Sequence, residues 1–244
     1  MSDLLNTVEN DATRQLAIVT GASRGIGRAI AERLAMLGYD LLLLGRDAAA
    51  LDSTRAECSS AGVTCEVFAG DVTDDQYLDE ALAKALSMNE AVDVLVNNAG
   101  TALGQSVHEA DLPAWRSVMR VNFDAVLALS AKVLPGMVSR GQGTVVHISS
   151  ISGRNSPAGS GIYSASKHAL NGLAGSMFED VRDHGIKVST IMPGFVQTDL
   201  TENLPIDAQN MIRPSDVADS VAYVLSCSAF CCPVEIVLRP QTSL

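Results

Sequence analysis

The sequence predicts an α/β fold with a single doubly wound domain, in which a seven-stranded parallel sheet carries helices on both faces. Seven short apolar runs alternate with longer segments of helical periodicity, the pattern of repeated βα units. The chain has 244 residues, enough for one large domain at roughly 100 to 200 residues per domain. Apolar residues make up 47% and charged residues 18%, which is typical of folded chains rather than disordered ones.

The apolar runs are the predicted strands, and the predicted helices lie between them. The strands cover Leu16 to Val19, Leu41 to Leu44, Cys65 to Phe68, Val92 to Val96, Thr144 to Ile148, Lys187 to Ile191 and Val234 to Leu238. The helices cover Gly27 to Gly38, Ala48 to Ala61, Asp75 to Met88, Pro113 to Arg140, Tyr163 to His184 and Pro214 to Ser226. We expect residues 1–14 to form an N-terminal arm, residues 15–244 the domain, and residues about 198–214 a short substrate lid.

Charge and composition argue against several classes of function. The 28 acidic residues outnumber the 17 basic ones and give a formal charge of −11, whereas nucleic-acid and membrane-surface binding depend on Lys and Arg. The N-terminal segment lacks the pattern of a secretory signal, and the apolar runs are shorter than the ~18 residues of a membrane helix. The five cysteines lack metal-ligand spacing. We therefore expect a cytoplasmic protein without nucleic-acid, membrane or metal binding.

The first strand leads into a glycine-rich turn and then a helix. Glycines there let the backbone approach a pyrophosphate, and a helix N-terminus supplies unpaired N–H groups and a positive dipole end. The order of strand, turn and helix predicts a dinucleotide site; the alternative is that the glycines serve only the turn and its packing. The predicted cofactor ligands in this turn are Gly21, Ser23, Arg24, Gly25, Ile26 and Gly27.

The end of the second strand favours NADP(H) over NAD(H). An acid at this place binds the ribose 2′-hydroxyl and repels a 2′-phosphate, but here the strand ends in Gly45 and Arg46. Arg46 and Arg24 offer two planar guanidinium groups that suit a doubly charged phosphate. The alternative is that one or both arginines lie in solvent. Asp47 is expected to cap the next helix.

Two further turns follow the third and fourth strands. Ligands of open α/β sheets bind beyond the carboxyl ends of the strands, so Asp71-Val72 and Asn97-Asn98-Ala99-Gly100 belong to the same crevice. Asp71 could accept a hydrogen bond from an adenine amino group, or it could form a turn and a helix cap. The asparagine side chains could tie neighbouring strand ends together as well as contact a ligand.

The pattern Tyr163-x3-Lys167 lies at the start of a predicted helix. Positions i and i+4 share a helix face, so the phenol and the ammonium group lie about one turn apart. A nearby cation favours phenolate and is expected to lower the pKa of Tyr163. Thirteen residues before Tyr163, the fifth strand ends in Ser149-Ser150. A hydroxyl is therefore expected at the same edge of the sheet.

Together these motifs resemble the short-chain dehydrogenase/reductase family over nearly the whole chain. The shared marks are Thr20-Gly21-x3-Gly25-Ile26-Gly27, Asn97-Asn98-Ala99-Gly100, Asn122, Ser150, Tyr163-x3-Lys167 and Pro193-Gly194-x-Val196-x-Thr198. The resemblance implies that Tyr163 is the general acid in carbonyl reduction and the base in alcohol oxidation. It also implies that Lys167 holds the nicotinamide ribose and lowers the Tyr163 pKa, that Ser150 binds the substrate oxygen, and that Asn122 organises a relay water.

The resemblance assigns the remaining cofactor contacts and an assembly. Asp71 and Val72 would flank the adenine, and the nicotinamide would be covered by a segment containing Pro193, Gly194, Val196 and Thr198. The residues that would lie along the cofactor are Asn98, Ala99 and Gly100. Family members usually form dimers or tetramers, so a homodimer or homotetramer is expected. The family's Val-Asp-Gly-Gly ending is missing here, which leaves the choice between the two open.

Alternative interpretations remain open for three residues and for the function of the protein. Ser149 could carry the active hydroxyl, Asn122 could be only a buried polar residue, and the apolar neighbours of His147 favour a structural role over that of a base. The predicted function is hydride transfer between NADP(H) and a small ketone, aldehyde or secondary alcohol, as in the alcohol dehydrogenase and carbonyl reductase branch. The alternatives are a 3-oxoacyl thioester reductase and a non-catalytic NADP-binding regulator.

Overall fold

Strands and helices alternate in the computed structural model, which describes residues 14–202 and 204–242. The strands are β1 (Leu16–Thr20), β2 (Asp40–Gly45), β3 (Cys65–Ala69), β4 (Val94–Asn97), β5 (Gly143–Ile148), β6 (Ile186–Pro193) and β7 (Glu235–Leu238). The helices are α1 (Gly25–Met36), α2 (Ala48–Ser59), α3 (Asp75–Met88), α4 (Leu112–Met119), α5 (Ala125–Arg140), α6 (Gly161–Val181) and α7 (Pro214–Ser226). The expected N-terminal arm lies outside the described residues, except for Arg14.

The strands form one sheet in the order β3-β2-β1-β4-β5-β6-β7 within the described residues, and every pair is parallel. The predicted fold class is therefore confirmed. Ile18 of β1 lies opposite Leu42 on one side and Leu95 on the other. The chain runs outward from β1 to β3 and then returns to β4 on the other side of β1. This reversal creates a switch point at the carboxyl ends of the central strands, where ligands bind in open α/β sheets.

Helices cover both faces of the sheet because the side chains of each strand alternate between the faces. Ala17 and Val19 of β1 belong to a buried cluster that includes α1, α2 and α7. Leu16 and Ile18 belong to a second cluster with α3, α5 and α6. β1 is therefore buried on both sides, which explains its unbroken apolar sequence.

One predicted helix differs from the structure in its centre. The segment predicted as a single helix from Pro113 to Arg140 consists of α4, a π-helical turn at Arg120–Asp124, and α5. π turns inside α-helices frequently occur at functional sites, and this one contains Asn122. The predicted cap of α2 is confirmed, because the Asp47 side chain accepts a hydrogen bond from the N–H of Ala50.

The run from Leu112 to Arg140 is long and apolar enough to cross a membrane by length and composition alone, with a mean hydropathy of 1.4 in an 18-residue window. The segment is not an unbroken apolar run, because Asn122, Asp124 and Lys132 interrupt it, so the expectation that the apolar runs are shorter than a membrane helix is not contradicted. In the fold, however, Leu129, Val133 and Met137 are buried against the sheet. The helix is thus part of the core, although only 39% of the window is buried, and its exposed large apolar side chains are Leu112 and Leu127.

Candidate active site

The carboxyl ends of the central strands open into a crevice of about 430 Å³. It lies at the switch point of the sheet, as expected. The sequence-predicted residues that line it are Gly21, Ser23, Arg24, Gly25, Ile26, Gly27, Arg46, Asp71, Val72, Asn98, Ala99, Gly100, Tyr163, Lys167 and Thr198. The other predicted residues, which do not line it, are Asn122, Ser150, Pro193, Gly194 and Val196.

The glycine turn is shaped by two positions that exclude a side chain. Gly21 has a φ of +64°, and a Cβ on it would lie 2.9 Å from Cα of Ala99. A Cβ on Gly27 would lie 2.1 Å from the carbonyl oxygen of Gly21. Helix α1 then begins at Gly25 without a side-chain cap and without an acid in its first turn. Its first N–H groups and positive dipole end can therefore receive a phosphate.

Asn98 joins the turn after β4 to the glycine turn. Its Nδ2 donates to the carbonyl oxygens of Thr20 at 2.9 Å and Gly21 at 3.1 Å. The Thr20 hydroxyl accepts from the N–H groups of Asn98 and Ala99, both at 2.9 Å. Asn98 therefore joins the end of β4 to the glycine turn, as its position in the sequence suggested. Both N–H groups of its amide are used within the protein, which leaves its Oδ1 for a ligand.

Arg46 and Arg24 have different surroundings on the crevice wall. Arg46 follows β2 and is exposed. Nη1 of Arg24 lies 2.8 Å from Oδ2 of Asp199, in an ion pair with the segment predicted as a lid. Arg24 is therefore engaged with a carboxylate instead of standing free beside Arg46. The sequence analysis missed Asp199, because no local pattern indicates that the lid reaches the glycine turn.

The Asp71 side chain forms a hydrogen-bonded turn, which is one of the two roles that the sequence left open for it. Its Oδ1 accepts hydrogen bonds from the N–H and the hydroxyl of Thr73, both at 2.9 Å. The hydrogen bond from the Thr73 backbone is the main reason that the pKa of Asp71 lies below its ordinary value, with smaller contributions from Arg46 and Arg120. The carboxylate therefore stays ionised on the crevice wall and can accept a further bond through Oδ2. The nearby cation Arg120 was also missed by the sequence analysis.

Tyr163 and Lys167 lie one turn apart at the start of α6. Nζ of Lys167 is 5.9 Å from the centre of the Tyr163 ring and donates a hydrogen bond of 2.9 Å to the carbonyl oxygen of Ile148. Lys167 is buried, and this burial lowers its pKa to about 8. Ser150, which follows β5, lies close enough to the Tyr163 phenol for its side chain to lower the phenol's pKa. Two motifs that are separate in the sequence are thus neighbours in the fold, with Tyr163 and Lys167 on the crevice wall and Ser150 behind it.

The expectation that Lys167 lowers the pKa of Tyr163 is wrong for this structure. Burial raises the pKa of Tyr163, and the Ser150 side chain counters only part of that effect. The physical reason is that removing a phenolate from water costs more free energy than its interactions with the neighbouring groups recover. The phenol therefore keeps its proton at neutral pH, which suits a proton donor.

Asn122 is fully buried in the π turn. Its Oδ1 accepts from the N–H of Thr101 at 2.8 Å. Its Nδ2 donates to the carbonyl oxygen of Thr101 at 2.9 Å and to the Ser166 hydroxyl at 3.0 Å. Asn122 therefore fixes the loop after β4 against α6. One lone pair of Oδ1 is left to hold a water molecule.

The two alternative residues near the site are engaged elsewhere. Ser149 lines the crevice, but its hydroxyl donates to Oδ1 of Asn171 at 2.6 Å. His147 is fully buried, with Nδ1 at 3.3 Å from Nδ2 of Asn97. Burial, with a smaller effect of Lys167, lowers the pKa of His147 to about 4. His147 is therefore neutral and internal, in agreement with a structural role.

The segment after β6 is held in place before it reaches the crevice. Pro193 ends β6, and the N–H of Gly194 donates to the backbone of β7 at 2.9 Å. The Thr201 hydroxyl donates to the carbonyl oxygen of Val196 at 2.6 Å and accepts from the N–H of Thr198 at 3.2 Å. These hydrogen bonds fix the turn that carries Thr198 on the crevice wall.

The site contains groups for a phosphate-bearing cofactor and for proton transfer. Within residues 14–202 and 204–242, no cluster of three or more His, Cys, Asp or Glu side chains could hold a metal ion. The uncapped start of α1 and the glycine turn can receive a phosphate, while Tyr163 and Ser150 can act on a substrate oxygen. Fold and site together define a dinucleotide-dependent α/β protein of the doubly wound class.

Comparisons with known proteins agree with this class. The family model of short chain dehydrogenases matches residues 15–209, and the chain belongs to this family. An uncharacterized oxidoreductase of Staphylococcus saprophyticus is 33% identical over 228 residues, which cover 93% of this chain and 97% of the relative. A metagenomic short-chain oxidoreductase solved with NADP has a TM-score of 0.82 at 33% identity, covering 94% of this chain and 98% of that chain. An alcohol dehydrogenase of the archaeon Thermococcus sibiricus, complexed with 5-hydroxy-NADP, has a TM-score of 0.88 at 26% identity, covering 95% and 98%.

Proposed function

We propose that this oxidoreductase transfers a hydride between NADP(H) and a ketone, an aldehyde or a secondary alcohol, with Tyr163 as general acid and base. The observation that carries the proposal is the proximity of the Ser150 side chain to the Tyr163 phenol, which lines the crevice beside buried Lys167. A protein that only senses a dinucleotide has no need of such a proton donor.

NADP(H) fits the crevice in both charge and backbone shape. The uncapped start of α1 suits the pyrophosphate, and exposed Arg46 suits a 2′-phosphate at the end of β2, where no acid stands. Asp71 is placed to accept from the adenine, and Asn98 keeps one acceptor toward the cofactor. The two solved relatives described above carry NADP or a derivative of it. When bound, the nicotinamide supplies the hydride for the carbonyl carbon.

The protein side chains supply the proton and hold the reacting groups. In the reducing direction, Tyr163 gives its proton to the carbonyl oxygen while Ser150 stabilises the developing charge on that oxygen. Lys167 has one ammonium hydrogen on the backbone of β5, which leaves two donors for ribose hydroxyls. Asn122 holds a relay water through its remaining lone pair and thereby supports the return of a proton to Tyr163.

We propose an uncharged substrate, because the predicted lid is acidic. Between residues 198 and 214 the carboxylates of Asp199, Glu202 and Asp207 outnumber the single guanidinium of Arg213. The same region exposes the apolar side chains of Leu200 and Leu204. A substrate bearing phosphate or carboxylate groups would be repelled there. A thioester on a phosphorylated carrier is therefore the weaker alternative.

The proposed activity is tested by following NADPH oxidation over a panel of ketones, aldehydes, diketones and acetoacetyl thioesters, with NADH in parallel. We expect turnover of uncharged carbonyl compounds with NADPH, and one molecule of alcohol for each NADPH consumed. If NADPH binds but no compound of the panel causes its oxidation, the result would support the regulatory alternative. Consumption without alcohol formation would contradict the assigned reaction.

We also propose a cytoplasmic location and self-association. All five cysteines lie within the described ranges and are free thiols, which suits a reducing compartment. The exposed apolar side chains of Leu112 and Leu127, on α4 and α5, suit contact with a second copy of the chain, as a homodimer or within a homotetramer.

A further inference from the structure

The Arg24–Asp199 ion pair joins two sides of the cofactor crevice. Arg24 belongs to the glycine turn and directly precedes α1, while Asp199 lies in the segment after β6, and both line the crevice. Nη1 and Oδ2 are 2.8 Å apart, with the side chains 72% and 58% exposed. The pair therefore spans the mouth of the crevice and remains accessible to an entering ligand.

The carboxylate side of this pair is fixed, and the guanidinium side can move. The Thr201 hydroxyl fixes the turn on which Asp199 lies. Thr198 also lies against the glycine turn, since a Cβ on Gly25 would come within 3.2 Å of its Cγ2. Arg24 makes no side-chain cap on α1, and its long side chain can swing without moving the backbone. An anion that competes for Arg24 thus has only one side chain to displace.

We propose that Asp199 determines the affinity and selectivity for NADP(H) by competing with the 2′-phosphate for Arg24. This inference rests on NADP(H) being the cofactor, as proposed above. A phosphate monoester carries about −1.5 to −2 charge and three acceptor oxygens at pH 7, so it can take Arg24 from a carboxylate of charge −1. The exchange breaks the ion pair and leaves the Asp199 charge close to the bound dianion.

NAD(H) lacks the 2′-phosphate and leaves the Arg24–Asp199 pair intact. Asp199 therefore weakens the binding of NADP(H) but not that of NAD(H), and it reduces the selectivity that Arg24 and Arg46 provide. A carboxylate at the mouth of the crevice also favours release of the oxidised cofactor after turnover, because it recovers its ion pair when the phosphate leaves.

The test is equilibrium binding of NADP⁺ and of NAD⁺ to the cofactor-free protein, measured by titration calorimetry. Asp199→Asn removes the charge and keeps the size. Because exposed ion pairs contribute little free energy, we expect NADP⁺ to bind about two- to five-fold more tightly to the variant and NAD⁺ to bind as before. The gain should shrink at high ionic strength, where exposed charges are screened.

The matched control is Glu202→Gln, which removes a second lid carboxylate that forms no ion pair within the part of the chain the structure describes. We expect no change in NADP⁺ affinity for this control. In an Arg24→Ala background, where NADP⁺ binding is weaker and Asp199 has lost its ion pair, Asp199→Asn should give a smaller gain than in the unaltered protein, because only the repulsion between Asp199 and the 2′-phosphate is then relieved.

Three results would overturn the competition between Asp199 and the 2′-phosphate. They are an Asp199→Asn variant whose NADP⁺ affinity does not rise, an equal gain for NAD⁺, and an equal gain from Glu202→Gln. Tighter binding of NAD⁺ than of NADP⁺ by the unaltered protein would contradict the cofactor choice itself. This result is measured on the unaltered protein alone. A failure of the cofactor choice can therefore be distinguished from a failure of the proposed competition, which is measured on the variants.

Discussion

Tyr163, Lys167 and His147 lie close together at the carboxyl end of β5, and protein surrounds each of them. The loss of water favours the neutral form of every one. It raises the pKa of Tyr163 and lowers that of Lys167 to about 8 and that of His147 to about 4. The i, i+4 spacing predicted that Tyr163 and Lys167 are neighbours, but not how deeply they are buried. The sequence therefore predicted the contact, and it gave the wrong sign for the shift of the Tyr163 pKa.

His147→Gln should remove a pH dependence of stability. The folded-state pKa of about 4 lies below the value of 6.5 in the unfolded chain, so only the unfolded state gains a proton as the pH first falls below 6.5. The His147 contribution is complete above pH 6.5 and is lost as the pH falls toward 4. Between pH 7 and pH 5, the unaltered protein should lose about 2 kcal/mol more unfolding free energy than the variant. Urea unfolding across this range measures the difference, and parallel pH profiles would argue against a buried neutral histidine.

Among the elements, those set by local sequence were predicted and those set by tertiary contacts were not. The apolar run of β1, the glycine turn and the periodicity of α1 determine one wall of the crevice. The π turn at Arg120–Asp124 could not be predicted, because the helical pattern runs through it and the hydrogen bonds of Asn122 to Thr101 and Ser166 stabilise it from outside. The position of Asp199 likewise depends on a loop conformation that no local pattern specifies.

Gly27→Ala should weaken NADP⁺ binding strongly. The new methyl group would lie 2.1 Å from the carbonyl oxygen of Gly21, so the glycine turn must shift where it receives the pyrophosphate. Overpacking of this kind costs about 1 to 3 kcal/mol, which corresponds to a loss of about 5- to 150-fold in affinity. Calorimetric titration with NADP⁺ measures the effect.

Gly175→Ala on α6 is the matched control for this substitution, because a Cβ there meets nothing within 4 Å. Its NADP⁺ affinity should equal that of the unaltered protein, and circular dichroism should show the same helix content for both variants. Unaltered NADP⁺ affinity in Gly27→Ala would mean that the turn does not hold the pyrophosphate.

The whole molecule carries a charge of −11 and still provides a site for an anionic cofactor. We propose that it does so by placing Arg24, Arg46 and the start of α1 in one crevice, while the bulk charge disfavours extended polyanions. A second property of the whole molecule is that the α4–α5 segment exposes the apolar side chains of Leu112 and Leu127. Composition alone could not show which side chains are exposed, because burial depends on which side of the helix meets the sheet.

Leu127→Glu should disrupt self-association. Leu127 is 42% exposed on α5, and a charge in the centre of an apolar interface is costly. We expect the unaltered protein to have the mass of at least two chains of 25.6 kDa and the variant to shift toward one chain in size-exclusion chromatography with light scattering. Leu37→Glu, at the end of α1 on the other face of the sheet, should cause no shift. A monomeric unaltered protein would contradict the proposed assembly.

The role of Tyr163 is tested most directly by Tyr163→Phe, which keeps the ring and removes only the phenolic hydroxyl. For a carbonyl compound that the unaltered protein reduces, we expect kcat/KM with NADPH to fall by about 10²- to 10⁴-fold, the usual contribution of general acid catalysis. The affinity for NADPH should not change, and Tyr223→Phe, whose side chain is exposed on α7, should keep full activity. A Tyr163→Phe variant that reduces the same substrate at the unaltered rate would contradict the assignment of Tyr163 as the proton donor.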